Sequence, residues 1–148
     1  MREHLHLGIR GKRTWLLALS LLCFCTTAVA QTTYTSVQSG PWNNPSTWLP
    51  NGVPGTVEGD VAIISTGHTV TLNVSPQNTL ASVTVNGTLR YDADASRILR
   101  ARDVTVNFGG TIDLDQAISL AHELRLQPLS TDPANIATTF QNNGTVDF

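Results

Sequence analysis

Thr84-Val85-Asn86-Gly87-Thr88-Leu89 joins two runs of alternating polar and apolar residues through an Asn-Gly step. The phrase returns as Val106-Asn107-Phe108-Gly109-Gly110-Thr111-Ile112, and again as Asn142-Asn143-Gly144-Thr145-Val146. The recurring glycines stand at 87, 110 and 144, so the first interval is 23 residues and the second is lengthened by an insertion. A period of roughly 20 residues suits the coils of a parallel β-solenoid, each burying its apolar face against the next. The Asn-Gly steps then read as corners, because both residues tolerate a positive φ. Asn-Gly is also a strong hairpin signal, which leaves an antiparallel β-sandwich as the alternative. The expected fold is all-β: a right-handed parallel β-solenoid-like module.

Period-two alternation spreads outward from this phrase. Residues 82–86, 89–91, 103–108, 111–115, 123–127 and 145–148 read as strands, rich in Val, Thr and Ile and bounded by Gly and Asn. Upstream, residues 60–65 and 68–73 flank a tight turn at Thr66-Gly67. The predicted core is Val83, Val85, Leu89, Tyr91, Val104, Val106, Phe108, Ile112, Leu114, Leu124 and Leu126. Thr84, Arg90, Thr105, Asp113 and Arg125 face water. The single helical or turn-like stretch is 116–123 (QAISLAHE).

The first thirty residues have another character. Arg2, Arg10, Lys12 and Arg13 precede an apolar run from Trp15 to Cys25, and Ala28-x-Ala30 follows. This is the three-part pattern of an export signal, with cleavage expected between Ala30 and Gln31. A transmembrane anchor needs about 20 apolar residues, and a lipoprotein signal would not place bulky Leu22 and Phe24 before its cysteines. The expected organisation is a signal peptide at 1–30 and one β-rich domain at 31–148. That domain contains no Cys and no Lys, and five Arg stand against ten Asp plus Glu. A disulfide framework and a thiolate metal site are thereby excluded, and no membrane span remains after cleavage. The acidic balance argues against nucleic acid or an anionic membrane as partner.

Residues 39–55 (SGPWNNPSTWLPNGVPG) hold four Pro and three Gly and read as an ordered loop. The motifs Ser39-Gly40-x-Trp42-x-x-Pro45-x-Thr47-Trp48, Pro54-Gly55, Gly59-Asp60-Val61 and Gly67-His68-Thr69-Val70 follow in order. Leu80-x-x-Val83-x-Val85-Asn86-Gly87-Thr88-Leu89 completes them. Taken together over residues 34–115, they resemble the G8 domain. The resemblance implies an all-β, glycine-rich module of large secreted or cell-surface proteins, with extracellular ligands or carbohydrate as its targets. The leader and this opening also resemble proteins that some Gram-negative bacteria export to the surface. Those carry a C-terminal sorting domain that this chain lacks, and residues 144–148 stop inside a strand pattern. Truncation at the C-terminus is therefore expected.

Candidate chemistry is sparse. Trp42 and Trp48 suit either sugar stacking, aided by Asn43, Asn44 and Asn51, or a plug over the first coil, which the large area of an indole rewards. His68 stands near Asp60 and Glu58 in sequence, and a His–carboxylate pair can bind a metal or act as a base, but this is no ligand spacing. Asp92 with Asp94, and Asp113 with Asp115, are paired carboxylates of the kind used by Ca²⁺ sites and sugar-cleaving enzymes, without the further oxygens calcium needs. The sequence has no nucleophile elbow, phosphate loop or zinc-protease motif. Asn73, Asn86 and Asn143 head Asn-x-Ser/Thr triplets, which carry weight only in a glycosylating host. No cofactor and no metal are expected. The reading is a non-catalytic extracellular module, ligand- or carbohydrate-binding or architectural, with the first coils of a β-helical polysaccharide lyase or glycoside hydrolase as the alternative. The ligand-binding candidates are Trp42, Trp48, Asp60 and His68. Extracellular polysaccharide or a surface protein are the expected partners, along with self-association through an open terminal coil.

Overall fold

The computed structural model describes residues 30–114, 120–134 and 136–147. Residues 1–29 of the proposed leader (1–30), Asp115, residues 116–119 of the helix-like stretch, Asn135 and Phe148 lie outside them. Among the described residues twelve strands run in order: β1 Thr33–Ser36, β2 Gly40–Pro41, β3 Trp48–Leu49, β4 Val61–Ile64, β5 Thr69–Leu72 and β6 Leu80–Val85. They continue with β7 Thr88–Tyr91, β8 Ile98–Val106, β9 Thr111–Asp113, β10 Glu123–Leu126, β11 Thr139–Asn142 and β12 Thr145–Asp147. A 3-10 turn, Pro45–Thr47, is opened by the Asn44 side chain, which accepts from Ser46 N.

These strands form two open sheets, β10-β8-β6-β4-β1-β3 with β11 also on β8, and β12-β9-β7-β5-β2. Only β1 with β3 is antiparallel; every other described pairing is parallel. From β4 to β9 the chain alternates between the sheets. In-register pairing stacks like on like. Tyr34, Ala62, Val83, Val104 and Phe140 make one row, and Val70, Leu89, Ile112 and Val146 another. The inner members of these rows lose all or nearly all contact with water, so hydrophobic burial accumulates along the stack.

Period-two counting placed seven of the predicted core residues correctly: Val83, Val85, Leu89, Tyr91, Val104, Val106 and Ile112 are buried. Leu114 and Leu124 pack against the core from its edge. Phe108 does not belong to it. The strand ends at Val106, the chain turns at Asn107, and Phe108 stands 93% exposed at the tip. Leu126 is also exposed, because it is the last member of its row. Residues 120–122 of the helix-like stretch form neither helix nor strand, and Glu123 opens β10.

The repeated glycines are required for a reason other than the one the sequence implied. Positive φ occurs at Gly55, Gly59, Gly67 and Gly109, and not at Gly87, Gly110 or Gly144. Those three lie where successive turns touch. A Cβ on Gly87 would come within 2.3 Å of the Ser65 and His68 carbonyl oxygens, and one on Gly110 within 2.2 Å of Val85 O. One on Gly144 would come within 2.3 Å of Gly110 O. Beside them Asn107 Nδ2 donates to Asn86 Oδ1 at 2.7 Å, tying one corner to the next.

Candidate functional site

The Pro-rich loop folds over the end of the stack at β1 and β3, and its two tryptophans face inward. Trp42 follows β2 and Trp48 opens β3, and both are buried. Their rings meet edge to face, centroids 5.0 Å apart at 71°, the arrangement aromatic quadrupoles favour. Trp42 Nε1 donates to Pro54 O at 3.0 Å, and Trp48 Nε1 to Trp42 O at 2.9 Å. Neither indole offers a face to solvent. A hollow of about 420 Å³ lies alongside, walled by Val53–Thr56 and Val74–Gln77, with Trp42 against it. Of the asparagines proposed to assist, Asn43 accepts from Asn73 Nδ2 at 2.8 Å, and Asn51 is exposed.

Asp60 is buried, and each carboxylate oxygen is used. Oδ2 accepts from Gly55 N at 3.0 Å and Val57 N at 3.2 Å, and Oδ1 accepts from Thr32 N at 3.2 Å. It thereby knots the Pro-rich loop to the segment entering β1. Next to this knot, the Gln31 side chain lies over Gly59. His68 stands at the other end of β4, half-buried, with Nδ1 2.9 Å from Ser36 Oγ. Ser36 Oγ also accepts from Ser65 N at 2.8 Å. The pairing of His68 with Asp60 suggested by the sequence is not formed. Glu58 is held by Ser130, whose backbone N–H donates to it at 2.6 Å.

Of the paired carboxylates, Asp92 and Asp113 face arginines, and Asp115 lies outside the described residues. Asp92 Oδ2 takes Arg97 Nη2 at 2.7 Å, and this bond holds its carboxyl below the usual carboxylate range. Asp94 is exposed and gives its backbone N–H to Asp92 Oδ1. Asp113 lies on the outer face beside Arg90 at 3.3 Å. Among the described residues no group of three or more His, Cys, Asp or Glu is placed to hold a metal ion, and no helix is long and apolar enough to cross a membrane.

Sequence reading missed a second cluster, at the opposite end. Tyr91 is buried, its hydroxyl donates to Glu123 O at 3.1 Å, and burial pushes the phenol well above its ordinary pKa. The His122 ring tilts over Tyr91 at 5.2 Å, and its Nδ1 accepts from Arg97 N at 3.2 Å. With Nδ1 an acceptor, the neutral ring carries its proton on Nε2, and that buried atom has no partner. His122 borders an apolar groove of about 530 Å³ with Leu114, Leu124, Leu126, Phe140 and Val146. Residues 91, 97 and 122 meet only through the stacking of turns, and no local motif announces such contacts.

Comparison with known proteins gives one match. The model of the G8 domain aligns with residues 47–120, half of the chain. No curated protein and no solved structure matches. The aligned span holds Trp48, Asp60, His68 and the glycines at 55, 59, 67, 87, 109 and 110, so the family pattern and the close-packed turns coincide. The chain belongs to the G8 domain family.

Proposed function

We propose that this chain is a non-catalytic, architectural module of the cell exterior, built as a parallel β-solenoid whose stacked turns serve as a scaffold. G8 domains are typical of extracellular proteins. The observation that carries the architectural role is the use made of Trp42, Trp48 and Asp60: all three are buried, and their polar atoms close the fold's own backbone. A sugar-stacking site needs an indole face open to the ligand, and of the carboxylates a hydrolytic pair would use, Asp92 is held by Arg97 and Asp113 lies beside Arg90. The alternating parallel strands support the coil reading. The leader at 1–30 fits the same destination, and a secreted product beginning at Gln31 is its test.

The scaffold role is tested by Trp fluorescence. Emission should be blue-shifted and should stay fixed when neutral or acidic polysaccharides are titrated in, with no new reducing ends formed. A saturable shift that Trp42→Phe abolishes, or polysaccharide cleavage, would overturn the proposal.

A further inference from the structure

An asparagine side chain can react with its own backbone most readily when glycine follows, because glycine has no side chain to block the approach. Three Asn-Gly steps occur, at 51–52, 86–87 and 143–144, and the fold treats them unequally. Asn86 Oδ1 accepts from Asn107 Nδ2 at 2.7 Å, and Asn86 N donates to Ile64 O at 2.8 Å. Gly87 is wedged where a Cβ would lie 2.3 Å from two carbonyl oxygens of the neighbouring turn. At the third step Asn143 N donates to Val106 O at 2.8 Å, and Gly144 N donates to Asn142 Oδ1 at 3.0 Å. Asn51 and Gly52 instead form a bend of the Pro-rich loop between β3 and β4, outside every described strand. Asn51 is exposed, and among the described residues neither its side chain nor the Gly52 N–H has a hydrogen-bond partner. Gly52 rests against the Tyr34 ring, a side chain that can swing, where Gly87 and Gly144 meet backbone carbonyls.

We propose that Asn51 is a self-modification site, which deamidates through its own backbone while the steps at 86 and 143 stay intact in the folded chain. The Gly52 nitrogen gives up its proton and bonds to Asn51 Cγ. The Cγ–Nδ2 bond breaks, and Nδ2 leaves as ammonia with that proton, closing a cyclic imide. Water then opens either carbonyl of the ring, leaving aspartate or isoaspartate at position 51. Ring closure requires the backbone at the step to rotate until nitrogen and Cγ meet. At 51–52 that rotation breaks no hydrogen bond, whereas at the other two steps the turn must first open locally. The product carries a new negative charge and, in the iso form, a lengthened main chain. The change falls between Trp48 and Pro54, whose carbonyl accepts from Trp42 Nε1, so it acts on the loop that closes the tryptophan end. The inference goes beyond the scaffold reading and depends only on the exposure and hydrogen bonding of three turns.

Peptide mapping by mass spectrometry tests it, on the purified full chain held folded at mildly alkaline pH and sampled over time. Conversion of amide to acid should run at least about tenfold faster at Asn51 than at Asn86 or Asn143, since those two react only from an opened turn. In concentrated urea, where no turn is protected, the three positions should convert at comparable rates. Asn51→Ser should abolish the early release of ammonia from the folded chain. Conversion at Asn86 or Asn143 as fast as at Asn51 in the folded chain would overturn the proposal. So would a preference for Asn51 that persists in urea, or early ammonia release that survives Asn51→Ser.

Discussion

Gly109 and Gly110 are neighbours in one corner, yet the structure requires glycine at each for a different reason. Gly109 has φ +81°, with nothing within 4 Å of where its Cβ would stand. Gly110 has no positive φ, and its Cβ would lie 2.2 Å from Val85 O and 3.0 Å from Asn107 O. For Gly110→Ala the Val85 carbonyl must retreat by about 0.8 Å before the contact becomes one that carbon and oxygen sustain. That carbonyl accepts from Asn107 N at 3.0 Å, and Thr111 N reaches Gly87 O at 2.8 Å. Parting the turns stretches both bonds and the Asn107–Asn86 side-chain bond. Two or three hydrogen bonds at about 1 kcal/mol each give a loss of about 2–3 kcal/mol. For Gly109→Ala the loss is only the left-handed penalty, about 1 kcal/mol.

Thermal unfolding followed by far-UV circular dichroism separates the two. At roughly 4 °C per kcal/mol for a chain of this size, Gly110→Ala should lower Tm by about 8–12 °C and Gly109→Ala by about 4 °C. Asparagine tolerates the left-handed region, so Gly109→Asn should recover most of its loss and Gly110→Asn none. Equal shifts for the two alanine variants, or a larger one at 109, would refute the close-approach account and return the corner to conformational freedom.

Two further outcomes follow from the polar framework. Asp60→Asn keeps one acceptor oxygen but turns an amide N–H₂ toward backbone donors, so it should cost about 2–4 kcal/mol, read as an earlier urea midpoint with unchanged slope. Recovery of wild-type stability in that variant would show that the knot at 55–60 does not hold the loop. Asp92 has a depressed pKa in the fold, so its contribution is complete above the ordinary value of 3.8 and fades as pH falls below it through the lowered folded value. The Tm gap between wild type and Asp92→Asn should therefore be constant from pH 7 to about pH 5 and close below about pH 4. A gap that persists unchanged at pH 2 would rule out the Arg97 contact as its source.

Much of the fold is legible in the sequence because parallel stacking repeats one local rule. The strands at 61–64, 69–72, 80–85, 88–91 and 111–113 sit within two residues of where alternation put them. The misses have identifiable physical causes. β2 and β3 are two-residue strands inside a Pro-rich loop, too short for any period to register. The first half of β8, Ile98 to Arg102, carries two arginines, and the alternation slips where Arg102 and Asp103 are both half-buried before Val104 turns in. Phe108 was carried into the core by counting through a corner. At the candidate site, the identities of Trp42, Trp48, Asp60 and His68 were visible, but their partners were not. Ser36 reaches His68 across 32 residues and Ser130 reaches Glu58 across 72, separations set by the winding of the chain.

The two ends of the stack treat the same physical problem in opposite ways. A pile of parallel strands always leaves an apolar cross-section and an unpaired backbone edge at each end. At the first end the sequence supplies two indoles, a 3-10 turn and a buried carboxylate, and each polar atom among them finds a backbone partner. That is why residues resembling a sugar site are spent on closure. At the other end of the described strands Leu124, Leu126, Phe140 and Val146 line an apolar groove beside the buried Nε2 of His122. Closure by buried polar groups at one end and burial by apolar rows along the strands are thus carried by different residues of the same chain.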